Sequence, residues 1–335
     1  MVIGKLQLFT EADLDRLHAA VLHVLEHIGI RVCHGAFLDA LAGSGARVDR
    51  AQGMVRFPPR LVEDLIARRC GQHRQAEGER EGPGCECAVG LSNVIAPFFH
   101  DYVRRSRRPA TRQDLLDTIR WAEVDLSPQH RVGLAVTMAG VDPRLEPIEA
   151  YALLLAHTGR PGDAYSTDAE QIPYLIDLAT IYYGQPVFPR GPDFMTSPLT
   201  LGTRLAEHTL AAIRFGVRHF GVGVMPISGG NAPITVAGNI VIGAAEALGA
   251  WLAIHSLAPD ATLDAAPCNG IVDLRKGTAS FNAPEALLAD LGLCELFYRR
   301  YGGGATVAAG ADYIDADLPG MQAAFIDIGL EKNAF

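Results

Sequence analysis

The spacing of apolar positions divides the chain into a helix-rich opening and a Gly-rich remainder with a strand-helix rhythm. From Thr10, behind a Thr-Glu-Ala-Asp start that suits a helix cap, Leu14, Leu17, Val21, Val24, Leu25 and Ile28 recur at helical spacing until Gly29. A second helix is predicted around Ala36 to Ala42. Val48 to Phe57 reads as a hairpin across Ala51 to Gly53, and Pro58-Pro59 launches a helix ending near Cys70. The polar run GQHRQAEGEREGPG then reads as a mobile loop. CAVGLSNVIAPFFHDYV reads as extended chain ahead of a helix from Arg112 to Val124.

Beyond this point VGLAVTMAG, DAYST, PVFPRGPDFMTS, HFGVGVMPI, TLDAAP and TVAAG read as strands. Helices are predicted between them at Leu145 to His157, Ala169 to Tyr183 and Leu201 to Phe215, after the turn SGGNAP, and from Pro284, where Leu287, Leu291 and Cys294 share a stripe. About six βα units with right-handed crossovers predict a parallel sheet. The expected fold class is α/β: a TIM-type (β/α) barrel over residues 129–335, with an N-terminal α+β accessory region over residues 1–128. A barrel of this type has eight strands. Six units therefore leave it open or incomplete, closed by a second copy, or continued in a longer protein, and an unclosed sheet exposes two edges. Ligands of parallel βα folds meet the loops that follow the strands, so Ser228 to Pro233, Cys268 to Lys276 and Ala311 to Pro319 are expected around one site. PCNGIVDLRKGTASFNAPE is read as a long loop of this kind.

Charge removes some function classes. A net charge of -9 over 335 residues argues against a nucleic-acid surface. The one basic cluster, Arg104, Arg105, Arg107 and Arg108 ahead of Arg112, reads as a solvated loop or a partner-docking patch. No basic-plus-apolar leader is visible, so a cytoplasmic location is expected. Val236 to Ile254 is apolar on every side, but Glu246 near its centre would cost roughly 2.5 to 3.5 kcal/mol in a bilayer. A helix buried between the barrel and its neighbours is expected instead of a membrane span. Six Cys residues are scattered except for Cys85 and Cys87, which predicts free thiols. Cys70, His73, Cys85 and Cys87 match no zinc spacing, and no metal is expected. Nucleophile-elbow, phosphate-loop and metalloprotease motifs are all absent from the sequence.

A few polar residues stand out. Glu246 is the only charge in its helix, so it is either a site residue or the partner of a structural Arg or Lys. Asp273 follows the fifth strand, as a site carboxylate or as a turn cap beside Arg275 and Lys276. Asn231 follows Gly229-Gly230 at a helix start, where backbone N–H groups favour an anionic group; simple N-capping explains it equally well. Ser197 and His157 have no nearby base and are assigned to substrate-side polarity or capping.

Three spaced segments carry a resemblance. NAPITVAGNIVIGAAEALGAW, NGIVDLRKGTASFNAPE and GADYIDADLPGMQA, in that order, resemble the trimethylamine methyltransferase family of corrinoid-dependent TIM barrels, and MVRFPPRLVEDLI, RRPATRQDLLDTIR and FMTSPL look similar to it too. Laid on the family's late motif, DYIDADLPGMQA puts Tyr313 where archaeal members carry pyrrolysine, Asp315 on the motif Asp and Gln322 on the Gln. Asp317 replaces the motif Lys and Gly320 the second Asp. Tyr313 thus resembles the pyrrolysine-free branch that contains glycine betaine methyltransferase.

The resemblance implies transfer of a methyl group from a quaternary or tertiary methylated amine to the Co(I) corrinoid (cobalamin) of a partner corrinoid protein. Tyr313, Asp315 and Glu246 are the expected catalytic residues, and Asn231, Asp273, Gln322 and Asp312 the expected substrate-binding ones. A methylated ammonium is attracted to ring faces and makes no N–H bonds, so Phe99, Tyr102 and Tyr165 are further wall candidates. A homo-oligomer is expected. Two alternatives stay open: a non-catalytic amine-binding or scaffold derivative, and an unrelated TIM-barrel lyase using Asp273 and Glu246.

Overall fold

The structure is a computed structural model and describes residues 7–78, 95–101, 103–125, 131–185, 187–189, 191, 193–281, 283–303 and 305. Helix α1 (Glu11–His23) starts on a Thr10–Asp13 capping box and buries Leu14, Leu17 and Val21. Its continuation, Val24–Ile28, widens to a π-helical turn that stops at Gly29. At Gly29 φ is 79°, and a Cβ would run into the Val55 carbonyl, so both conformation and space require glycine there. Helix α2 (Gly35–Gly43) and the hairpin β2 (Arg47–Asp49) and β3 (Met54–Arg56) follow as predicted, and a strand that the sequence reading lacks, β1 (Ile30–Val32), joins them in the sheet order β2-β3-β1.

Helix α3 (Pro59–Gly78) does not end near Cys70. Gln, Arg, Ala and Glu are sound helix formers, so the polar run carries the helix on to Gly78 although it offers no apolar stripe. The rest of that predicted loop, with Cys85 and Cys87, lies outside the described residues.

The hairpin β4 (Phe98–Asp101) and β5 (Ser106–Pro109) precedes three helices, α4 (Arg112–Asp125), α5 (Glu146–His157) and, after a 3-10 turn, α6 (Ile172–Tyr183). VGLAVTMAG and DAYST are not regular strands. VGLAVTMAG makes isolated parallel bridges, Val136 with Ala96 and Val132 with Pro161 just before DAYST, and within DAYST the Ala164 amide donates to the Pro189 carbonyl. Pro161, Gly162 and Pro189 account for the irregularity, since Pro removes a ladder donor and Gly adds no packing.

Regular pairing resumes with β6 (Asp193–Phe194). A two-residue strand β7 (Thr200–Leu201), helix α7 (Thr203–Arg214), β8 (His219–Val224), β9 (Ile227–Ser228), helix α8 (Val236–Leu257), β10 (Thr262–Pro267), the hairpin β11 (Gly270–Asp273) and β12 (Thr278–Ser280), and helix α9 (Pro284–Arg300) complete the order. Strands β6, β8 and β10 form one parallel sheet, and Ala265 bridges in parallel to Ala305, the residue before TVAAG; TVAAG itself lies outside the described residues.

Extended segments around residues 96, 132–136, 161–164, 189 with 193–194, 219–224, 262–267 and 305 are thus linked neighbour to neighbour in chain order. The first of them precedes the six predicted strands. The architecture is mixed α/β, and no closed barrel is present among the described residues.

Two predicted boundaries are corrected. The helix expected from Leu201 starts at Thr203, because Thr200–Leu201 pairs in parallel with Arg31–Val32 of β1. The loop expected after β10 is the β11–β12 hairpin, whose first strand also pairs with β9 beyond the ends of β8 and β10.

Helix α8 is the centrepiece of the larger apolar core. Helices α1 and α2 cover one side of it, α9 another, and β8 and β10 also pack against it. Every face therefore meets protein, and 78% of its apolar window is buried. It is the only helix among the described residues long and apolar enough to cross a membrane. Gly249 lets it approach β1 closely, as a Cβ there would sit 2.9 Å from Ile30 Cγ2. Its N-cap is Thr235, whose hydroxyl accepts from the Gly238 amide at 3.1 Å. Thr235→Ala is expected to lower stability by about 1 kcal/mol. An unshifted urea midpoint would show that the cap contributes nothing. A second apolar core gathers Leu115, Ile119, Leu134, Tyr151, Leu154 and Leu175 from α4 to α6 and the bridging segments between them.

Candidate active site

Because the linked segments run parallel, the chain that follows each of them emerges at a common end. Met138, Tyr165, Ser197, residues 225–231 and residues 268–273 all stand just past such a segment. Glu146, at the start of α5, accepts a hydrogen bond from the Met138 amide at 2.8 Å and another from the Tyr165 hydroxyl. Burial, then the Glu146 carboxylate, pushes the Tyr165 phenol well above its ordinary range and keeps it protonated. Tyr165 is buried, so it is a fixed corner of the site more than an open wall. Phe99 is partly buried against the second core, with the Arg108 guanidinium 5.1 Å from its ring centroid.

Asn231 is not at a helix start. Thr235 holds that position, and Asn231 closes the preceding turn instead: its Oδ1 accepts from the Ile227 amide at 2.6 Å and its Nδ2 donates to the Ser197 carbonyl at 3.4 Å. The anion-binding reason for choosing Asn231 therefore fails, while its link to Ser197 joins two of the emerging loops. Asp273 caps the β11–β12 turn, accepting from the Arg275 amide at 2.9 Å and the Lys276 amide at 3.4 Å. The two loops are neighbours, since Ile227–Ser228 pairs with Gly270–Ile271. Tyr313, Asp312, Asp315 and Gln322 lie outside the described residues, as do Tyr102 and the segment Ala311 to Pro319.

Glu246 is fully buried on α8. The Ser197 hydroxyl donates to its Oε2 at 2.8 Å and the Leu199 amide to its Oε1 at 2.9 Å. No Arg or Lys among the described residues pairs with it, so of the two readings left open the structural cation has no support, and two neutral donors hold the carboxylate. They come from an irregular loop with a cis Ser197-Pro198 bond and Leu199 at φ 50°. Burial pushes the Glu246 carboxyl up to about 7, with the two donors pulling the other way. Ser197, expected as substrate-side polarity or capping, is Glu246's partner through its hydroxyl. His157 is exposed in the last turn of α5.

The sequence reading missed a second polar group on the same helix. Asn239 stands seven positions before Glu246, fully buried, and its Nδ2 donates to the Pro226 carbonyl at 3.0 Å and the Ser228 hydroxyl at 2.8 Å. Two polar residues seven apart on an otherwise apolar helix share a face, and that spacing was the available signal. Asn269 was missed too; its backbone amide and its Nδ2 both reach Asp290 Oδ1, at 2.8 Å and 2.9 Å. These buried groups stiffen the base of the emerging loops.

A cleft lined by Asp193, His208, Thr209, His219 and Phe220 lies elsewhere, beside the first residues of β8 and so at the opposite end of the strands. In parallel βα folds ligands meet the other end, and this cleft is not the candidate site. Among the described residues no cluster of three or more His, Cys, Asp or Glu side chains is placed to hold a metal ion. Cys70 points its Sγ toward the Arg300 carbonyl at 3.7 Å.

The family model described as trimethylamine methyltransferase (MTTB) matches residues 2–327. The chain belongs to this family. A trimethylamine methyltransferase MttB of Desulfitobacterium hafniense (strain DSM 10664 / DCB-2) is 24% identical over 330 residues, covering 94% of this chain and 64% of the relative. MttB2 of Methanosarcina mazei is 25% identical over 339 residues, covering 95% of this chain and 66% of the relative. A glycine betaine methyltransferase of Desulfitobacterium hafniense (strain Y51) is 20% identical over 303 residues, covering 86% and 61%. The chain thus spans slightly less than two thirds of these family members' length.

Proposed function

We propose that this protein moves a methyl group from a quaternary or tertiary methylated amine to the Co(I) corrinoid of a partner protein. The observation that carries this reading is the family match across residues 2–327. The chain-ordered parallel segments support it as successive staves of a TIM-type barrel, with an N-terminal accessory region packed on α8 and with the site at their C-terminal ends. The same reading places the protein in the cytoplasm.

A methylated ammonium carries its own neutral leaving group, and the corrinoid supplies a strong nucleophile for the methyl carbon. What remains for this chain is to hold the cation, exclude water and aim one methyl outward. Tyr313 would offer a ring face to the cation, with Asp312 and Asp315 as nearby carboxylates and Gln322 orienting the substrate. Glu246 and Asn231 then act one step behind the site, through Ser197. Asp273, engaged in its own turn, would contribute a rim charge.

The test mixes the purified protein with cob(I)alamin and a panel of methylated amines and follows methyl-cobalt absorbance. Methylation with at least one amine is expected. No transfer to free cob(I)alamin or to cob(I)alamin carried by a corrinoid protein, with amine binding still detected by calorimetry, would mean a binding module. Turnover of an amine without any corrinoid would mean a lyase. Tyr313→Ala is expected to weaken binding of the cationic amine by on the order of 1 to 2 kcal/mol. An unchanged dissociation constant removes Tyr313 from the site.

A further inference from the structure

The β4–β5 hairpin leaves the linked segments at Pro97 and returns at Ala110, whose carbonyl accepts from the Ala139 amide at 2.8 Å. It therefore rises beside the Met138–Glu146–Tyr165 corner, at the end where the candidate site lies. Its frame is firmly set. Asp101 accepts from the Arg104 amide at 2.9 Å and from the Arg104 guanidinium at 2.7 Å. Arg108 forks onto Asp114 at 2.6 Å and 2.7 Å, and the Thr111 amide and hydroxyl add to the same carboxylate. Arg108 holds the Asp114 carboxyl far below the usual carboxylate range.

Arg104 and Arg108 are thus used within the fold. Three other cations of the cluster make no ion pair among the described residues. Arg105, at the turn, is exposed and sits at φ 50°, a left-handed conformation that a residue with a side chain adopts only at a cost. Arg107 is exposed, with its guanidinium 4.5 Å above the ring of Phe98, which is itself 46% exposed. Arg112 is exposed at the first position of α4, where the helix dipole disfavours a cation. No carboxylate among the described residues pairs with any of the three. In a chain of net charge -9 this is a concentrated positive patch on a hairpin tied by Asp101 and Asp114, with no carboxylate among the described residues to neutralise it.

We propose that the hairpin is a docking face for an acidic surface of the protein that carries the methyl acceptor. This rests on the functional reading above. Unpaired rim charges on a rigid element raise the rate and fix the orientation of an encounter, which suits a partner that must present a reactive group at the mouth and then leave. Arg107 stacked on Phe98 adds an amphipathic contact of the kind enriched at interfaces.

The test compares wild type with R105E/R107E and the neutral R105Q/R107Q, using two acceptors: free cob(I)alamin, and each corrinoid protein encoded in the source genome, purified and loaded with cob(I)alamin. Charge reversal is expected to raise KM for the protein acceptor about 10-fold or more. It is also expected to flatten the salt dependence, with the neutral variant intermediate and transfer to free cob(I)alamin unchanged. An equal effect on both acceptors, no effect on either, or transfer by wild type to free cob(I)alamin alone overturns the docking role. So does a change in sedimentation coefficient on charge reversal, which would make the patch a contact between copies of this chain. Failure of wild type to methylate either acceptor overturns the functional reading, and the docking proposal with it.

Discussion

Replacing Trp251 by alanine is expected to cost about 3 to 5 kcal/mol of stability, the range for deleting a fully buried large aromatic. Trp251 lies in the middle of α8 with no exposed surface. Phe297 of α9 meets it edge-on at 5.0 Å, and the Trp251 Nε1 donates to the Asp264 carbonyl at 3.4 Å. The Arg69 guanidinium lies over the Trp251 ring, 3.8 Å from the centroid. Arg69 is buried as well and donates to the carbonyls of Tyr301 and Gly303, both at 3.3 Å. Burial pulls its pKa down to about 10, so it is still charged at neutral pH. Alanine would leave that cation over a void without a ring face to offset its desolvation. Trp251→Phe should recover a large part of the loss. Urea denaturation followed by circular dichroism decides the matter: a loss below about 1 kcal/mol would mean that Arg69 and Phe297 collapse into the space.

Glu246 gives the second large effect, and it depends on pH. Its folded pKa of about 7 lies above the 4.5 of an unperturbed carboxyl. Below pH 4.5 both states hold the proton and the buried neutral acid contributes its full stability. As pH rises through 7 the unfolded chain has released the proton, the folded one must follow, and stability is lost. The gap corresponds to about 3 kcal/mol. Glu246→Gln cannot ionise; its amide oxygen keeps the Leu199 hydrogen bond, and the Ser197 hydroxyl turns to accept from the amide nitrogen. The variant is expected to be flat across this window and more stable than wild type at pH 8. Equal stability differences at pH 5 and pH 8 would refute the proton linkage. In the transfer assay, activity retained by Glu246→Gln would place the residue behind the site, as a holder of the 197–199 loop. Loss of turnover with unchanged amine binding would restore it as a catalytic group.

Local signals were the readable ones. Helices α1, α2, α4, α5 and α9 announced themselves by stripes or flanking residues, and α8 by being apolar all round with a single carboxylate. Strands β8 and β10 were legible as buried runs. VGLAVTMAG and DAYST read as strands, yet the pairing in and beside them is too broken by Pro and Gly to be regular. Two misreadings came from choosing between adjacent turn residues: Asn231 looked like the start of a helix that Thr235 caps, and LRKG hid a hairpin turn in which Gly277 takes φ 66°. What sequence could not supply was pairing across long separations. Nothing local to Thr200 says that it lies beside Arg31, nor does anything near Glu246 name Ser197 and Leu199 as its donors. The family motifs pointed to residues 311–322, which the described residues do not reach.

Leu199 deserves a mechanical reading. Its amide is held by Glu246, while its carbonyl accepts from the Arg31 amide at 2.8 Å, and two residues on the Leu201 carbonyl accepts from Cys33 at 3.0 Å. The opening sheet is therefore a splint bound to the rim. A protein trimmed of its first fifty or so residues would free one strap of the mouth along with one wall of the core. In hydrogen-exchange experiments the amides of Arg31, Cys33 and Leu199 should lose protection together, on one clock.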